Sequence, residues 1–206
     1  MAIQNSLRRK VQLCIGKADV NIGTLVYIKQ GRRENSAIAY DESWLTNPVG
    51  FNVSADLQLV SGYQTHKAAS QIDSVFHGAL ADTAPDAWGR RVIARDHAKR
   101  RKKNPELPAL TELDYLLAVD DFSRVGALRL RDLDGGTWHR EVDSGQRSTP
   151  PMIDLEKIFQ ASRAVEQGQE TIEDLRYLQG KGTSLGGMRP KCTLLDEQGK
   201  LAIGKF

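Results

Sequence analysis

Residues Gly180–Phe206 read GKGTSLGGMRPKCTLLDEQGKLAIGKF. The glycines and hydroxyls at the front predict a loop, KCTLL a strand, DEQG a turn, and KLAIGKF a second strand that carries a lysine near its end. Consecutive exposed amides in a glycine-rich loop can cradle an anion. Here Gly182, Gly186 and Gly187 supply the backbone freedom, Thr183 and Ser184 the hydroxyls, and Arg189 and Lys191 the positive charge. Strand alternation sets Lys205 on one face with Leu201 and Ile203, and Ala202, Gly204 and Phe206 on the other. A lysine so placed either snorkels at the strand end or points at an anion.

The common nucleotide fingerprints are absent. A Walker A pattern begun at Gly182 reaches Gly187 and then meets Met188 where lysine is required. A dinucleotide pattern begun at Gly180 fails at Leu185. On spacing alone the loop is either an anion cradle or a glycine-rich connection from helix to strand.

Upstream of the loop, Thr171 and Asp174 form an acidic capping box ahead of a helix that stops near Gly180. Leu155, Ile158, Phe159 and Ser162 recur at helical spacing before that. The polar, proline-bearing DSGQRSTPPM, Asp143–Met152, is the expected boundary, dividing the chain into 1–150 and 151–206. Strand alternation returns in VGALRLRD, Val125–Asp132, and Asp120–Asp121 reads as a turn. Thr111 caps a helix that puts Leu113, Leu116 and Leu117 on one face. Another helix, about four to five turns long, carries Trp88, Val92 and Ile93 and ends at Pro105. Asp82 or Thr83 is its expected cap, with Pro85 in the first turn. The first third reads as a β meander through Val11–Ile15, Gly23–Ile28 and Ser36–Tyr40, broken at Asn47-Pro48. The fold class expected is therefore α+β, with the short second piece packing on the first.

At 206 residues, with 40% hydrophobic and 27% charged content, the chain has the composition of a globular protein. It contains no apolar run long enough for a membrane helix and no apolar leader, and a cytoplasmic location is expected. Cys14 and Cys192 read as free thiols. His66, His77, His97 and His139 show no ligand spacing, so no structural zinc site is expected. The net charge of +3 is mild. Its basic runs, Arg8–Lys10 and Lys99–Lys103, read as a frayed terminus and a solvated helix end, and direct nucleic-acid binding is not expected.

Taken together in order, VFHGALADTAPDAWGRRVI, then LLAVDDFSRVGALRL, then the terminal loop and its lysine strand resemble the N-terminal half of the HipA family. These are bacterial serine/threonine kinases that act as toxins. The resemblance runs from about Val11 to the end of the chain and implies the start of a protein-kinase-like small lobe. It implies that Gly186, Gly187, Met188, Arg189, Pro190 and Lys191 cover the phosphates of ATP, and that Lys205 pairs with them. It also implies that Ser184 is autophosphorylated; the residues themselves do not separate it from Thr183. In PDAWGRR the helix start and the packing of Trp88 are scaffold.

Kinase chemistry also needs a carboxylate for the attacking hydroxyl and further groups for Mg2+. In the family these belong to a mostly helical second half, so no catalytic residue is expected in this chain. The expected function is the N-terminal portion of a toxin kinase of a toxin–antitoxin system. Its implied partners are a small helix-turn-helix antitoxin and a protein substrate, an aminoacyl-tRNA synthetase. The alternative is a complete, non-catalytic binding module that docks onto a separate kinase or antitoxin.

Overall fold

In the computed structural model the described residues are 6–16, 20–66, 70, 73–121, 124–133, 138–139, 155–179 and 189–205. They form a mixed α+β protein that divides into two units, Met1–Thr83 with Gly126–His139, and Ala84–Val125 with Arg140–Phe206.

The first unit is built on the meander. Strands β1 (Ser6–Ile15), β2 (Val20–Gln30) and β3 (Arg33–Tyr40) pair antiparallel in sequence order. They are longer than the alternating cores alone suggest. Arg8, Arg9 and Lys10, expected to fray, lie in β1 opposite Ile28, Tyr27 and Val26. Backbone pairing with a long neighbour holds these polar residues in the strand. The register shifts between Leu13 and Cys14. Beside that bulge, a Cβ on Gly23 would stand 2.2 Å from the Ala39 carbonyl oxygen. Short helices α1 (Glu42–Leu45) and α2 (Gly78–Ala81) flank the two-residue strand β4 (Gln64–Thr65). After a long excursion, β5 (Leu128–Arg131) closes the sheet in the order β4-β3-β2-β1-β5. Val11, Leu13, Ile22, Leu25, Tyr27, Ile38, Leu57 and Phe76 fill its core.

The second unit holds α3 (Ala87–Lys103), α4 (Glu112–Leu117), α5 (Leu155–Gln167) and α6 (Ile172–Gln179), with the hairpin of β6 (Lys191–Leu195) and β7 (Leu201–Lys205). Trp88 and Val92 of α3 share one cluster with Ile158, Ala161 and Val165 of α5, Leu175 and Leu178 of α6, and Cys192 and Leu194 of β6. Thus α3 and α4 belong with the hairpin, whereas the sequence reading placed them in the piece ending at 150. The reason is the apolar face of α3, which α5, α6 and β6 cover. The boundary expected at 143–152 lies outside the described residues.

The caps follow local rules with one correction. Thr111 and Asp114 form a reciprocal capping box on α4, and Thr171 and Asp174 make the same bonds before α6. Leu113, Leu116 and Leu117 are buried as the spacing requires. The cap of α3, however, is Asp86, whose Oδ1 accepts from the Gly89 amide at 2.7 Å. Asp82 instead closes α2, and the Thr83 hydroxyl donates to the Leu80 carbonyl. Pro85 disfavours helical backbone just before it, which delays the start. On α5, Ile158 and Ser162 are buried, but Phe159 is 43% exposed. Ala161 and Val165 are buried with them.

Candidate functional site

The hairpin pairs Lys191 with Lys205, Cys192 with Gly204, Thr193 with Ile203, Leu194 with Ala202 and Leu195 with Leu201. Residues directly opposite in an antiparallel pair project from the same face. Cys192, Leu194, Ala202 and Gly204 therefore share the face toward the helical core, where a Cβ on Gly204 would stand 3.1 Å from both Cys192 Sγ and Leu155 Cδ1. The other face carries Lys191, Thr193, Leu195, Leu201, Ile203 and Lys205. The turn is held by Asp196, whose Oδ1 accepts from the amides of Gln198 and Lys200. Gly199 supplies its positive φ of 73°.

Two lysines opposite each other repel, and like charges at such a pair destabilise a sheet. The fold resolves this through Asp86. Lys191 Nζ donates to Asp86 Oδ2 at 2.6 Å, with both side chains almost wholly covered. One carboxylate thus caps α3 through Oδ1 and holds Lys191 through Oδ2. Lys205 is exposed on the outer strand. Arg189 is exposed at the entrance to β6, and Pro190 beside it is buried.

The sequence-predicted residues therefore separate. Arg189 and Lys205 present cations to solvent at the open end of the hairpin. Lys191 has a buried acidic partner that its sequence position did not suggest. Ser184, Gly186, Gly187 and Met188 lie outside the described residues.

Other charged positions are occupied structurally. Arg90 makes a bidentate pair with Glu112, at 2.9 and 2.6 Å, and lies over the Tyr115 ring. Arg95 and Lys99 both reach Glu170; burial raises its carboxyl, but its own backbone amide together with Lys99 and Arg95 outweighs that and lowers the pKa. Lys99 is thereby withdrawn from the basic run it begins. Asp121 lies in a turn and Asp120 is buried. The nearby Arg124 guanidinium donates to the carbonyls of Leu116 and Val119. Burial holds its pKa down to about 10, although Asp121 and Asp120 oppose that.

A second constellation was not legible in the sequence. The first unit brings His66 and His77, which had seemed scattered, onto one oxygen of Asp56. Each Nδ1 stands 3.0 Å from Asp56 Oδ2. The Asp56 carboxyl is pushed down to about 2: burial raises it, but the Ser54 hydroxyl, the Gly78 amide and His77 outweigh that. The 11-residue step between the histidines matches no familiar ligand pattern; the β3–β4 pairing places His66, and the bonds of Val75, Gly78 and Ala79 to Ser36, Asp56 and Ser54 place His77.

No protein-family model matches the chain, and a search of curated proteins finds no match either. Among the described residues, no helix is long and apolar enough to cross a membrane.

Proposed function

We propose that the chain is the N-terminal portion of a HipA-type serine/threonine protein kinase, and that the open end of the β6–β7 hairpin grips the phosphates of ATP. The observation that carries this reading is the charge arrangement on the hairpin. Register sets Lys205 against Lys191, and Asp86 neutralises Lys191, so among the described residues at this end of the hairpin the exposed cations are Lys205 and Arg189. In this reading Lys205 pairs with the phosphates, and Gly186, Gly187, Met188, Arg189 and Pro190 cover them. Lys191 anchors the end of the loop to the start of α3, and Ser184 is the autophosphorylated residue.

The residues fit a polyanion better than its metal. Asp86, the carboxylate at this end of the hairpin, is taken up by Lys191 and the α3 cap, which leaves Mg2+ to carboxylates of a separate catalytic lobe. Phosphoryl transfer then belongs to the intact kinase, acting in the cytoplasm on an aminoacyl-tRNA synthetase and restrained by a helix-turn-helix antitoxin. These partners rest on the sequence resemblance alone. A second reading, a docking module for a separate kinase or antitoxin, has one observation in its favour: Leu201 and Ile203 are about half exposed on the outer strand.

Titration with a fluorescent ATP analogue tests the site. Weak binding should fall several-fold in Lys205→Ala and again when Arg189→Ala is added, with the thermal midpoint unchanged because both side chains are exposed. Binding that ignores both substitutions would refute the assignment. Phosphate appearing on Ser184 of the purified chain would refute the absence of catalytic groups.

A further inference from the structure

We propose that Asp56, His66 and His77 form a binding site for a divalent transition-metal ion of the zinc class. The site lies in the first unit and does not depend on the phosphate reading.

Three separate pieces of backbone deliver the ligands. Asp56 sits in the turn bridged by Ser54 and Leu57. His66 follows β4, and its amide is tied to the Ser36 carbonyl of β3 at 3.2 Å. His77 caps the start of α2, whose first turn directs the Gly78 and Ala79 amides at Asp56 and Ser54. One ligand atom from each residue lies within 4.8 Å of the others.

The geometry of the three ligand atoms and their partners carries the argument. His77 Nε2 stands 3.1 Å from the Gln64 carbonyl oxygen, which can only accept. Nε2 therefore bears hydrogen. In the neutral ring, Nδ1 then points a lone pair at Asp56 Oδ2, itself an acceptor. Two lone pairs 3.0 Å apart repel unless something positive lies between them. His66 Nδ1 directs a second nitrogen to the same oxygen, also at 3.0 Å. One divalent cation bound by all three atoms fills both gaps.

The surroundings match a metal site in their outer contacts. A ligating histidine ordinarily donates its other ring N–H to a carbonyl or carboxylate, and this fixes the ring's tautomer. The His77–Gln64 bond does that. Asp56 Oδ1 is held by the Ser54 hydroxyl and the Gly78 amide, which leaves Oδ2 for the cation. With Zn–N and Zn–O bonds of about 2.0–2.2 Å, tetrahedral ligands stand roughly 3.3 Å apart. The two 3.0 Å nitrogen–oxygen spacings reach that with shifts of a few tenths of an ångström, and the two nitrogens lie within 4.8 Å of each other before an ion draws them in. Two imidazoles and one carboxylate select zinc, cobalt or iron over calcium or magnesium. Asp56 is 39% exposed, which gives the ion a way in and leaves the fourth position open to water.

The full chain, stripped with chelator and titrated with Co2+, should show the visible bands of a tetrahedral site at one ion per chain, and Zn2+ should displace them. Zinc at about 100-fold above its dissociation constant should raise the thermal midpoint by several degrees. Because His77→Ala can fail through loss of packing, the deciding variants are His66→Ala and Asp56→Asn, at partly exposed positions. Each should weaken binding at least tenfold, the usual scale for a lost contact at a metal site. Absence of the bands at millimolar Co2+ overturns the proposal. So does a Co2+ affinity that both variants leave intact. Doubly protonated His77, read from its ring nitrogens by NMR in zinc-treated protein, also overturns it.

Discussion

Replacing Asp86 with Asn removes the charge that Lys191 needs while keeping the α3 cap. The amide oxygen of Asn still accepts from Gly89, and Asn is as good a cap as Asp. Its NH2 group, however, would meet the Lys191 ammonium donor to donor. The two side chains are only 3% and 7% exposed and stand 2.6 Å apart, so the lysine would be left charged and uncompensated. Breaking a buried pair from one side costs about 3–5 kcal/mol, a large part of the roughly 5–15 kcal/mol that holds a domain folded. Asp86→Ala should cost about 1 kcal/mol more, through loss of the cap. Exchanging both partners, Asp86→Asn with Lys191→Met, should recover much of the loss, giving a coupling of about 2 kcal/mol or more. Urea denaturation followed by tryptophan fluorescence measures this, because Trp88 is fully buried in the same unit. If Asp86→Asn alone costs less than about 1 kcal/mol, the pair behaves as a solvent-exposed one. The reasoning about Lys191 would then be refuted.

Thr111→Ala should cost about 1 kcal/mol by orphaning the Asp114 amide, and Thr171→Ala somewhat less at its more exposed box, both by urea denaturation. Gly23→Ala should lower the melting temperature, because its Cβ cannot stand 2.2 Å from the Ala39 oxygen without a shift of β2 or β3; an unchanged melting temperature would contradict the tight pairing there. Cys192 should resist thiol reagents until the second unit opens. Burial pushes its pKa up to about 11 against the opposing Gly204 backbone hydrogen bond. The thiolate is the reactive form, so labelling at pH 8 should run at the rate of opening rather than at that of a free thiol. Since this thiol stays protonated longer in the fold than in the unfolded chain, its contribution to stability is lost as pH rises from about 8.5 towards 11.

What the sequence disclosed was local. Thr111 and the Thr171–Asp174 box were legible because a cap depends on residues three positions apart. The alternation of Val11–Ile15 and Ser36–Tyr40 showed which segments are strands, but not how far pairing would carry Arg8–Lys10. The Lys205 face was legible from alternation alone, and the structure keeps Leu201 and Ile203 on it. What stayed hidden depends on long-range pairing. Asp86 and Lys191 are 105 positions apart, and nothing near either one announces the other. The His66–His77–Asp56 cluster required the β3–β4 ladder, a two-residue strand too short to leave a periodic trace. Phe159 misled because the helical spacing of Leu155, Ile158, Phe159 and Ser162 fits an inward face, whereas the buried face of α5 runs through Ile158, Ala161, Ser162 and Val165 and leaves Phe159 at its edge.

The closure of the sheet by β5 bears on how the protein is made. Gln12 and Arg131, joined across β1 and β5, are 119 positions apart. At about 5–20 residues per second, a ribosome needs on the order of ten seconds to pass from one to the other. During that interval the β1–β2–β3 meander can form, but the outer side of β1 has no neighbour from its own sheet. An open strand edge is a template for pairing with another chain. Arg8, Arg9 and Lys10 place three positive charges along the first half of that strand. Like charges on neighbouring copies disfavour pairing along that half of the edge, and the other half, Gln12–Ile15, is the part that β5 later pairs with.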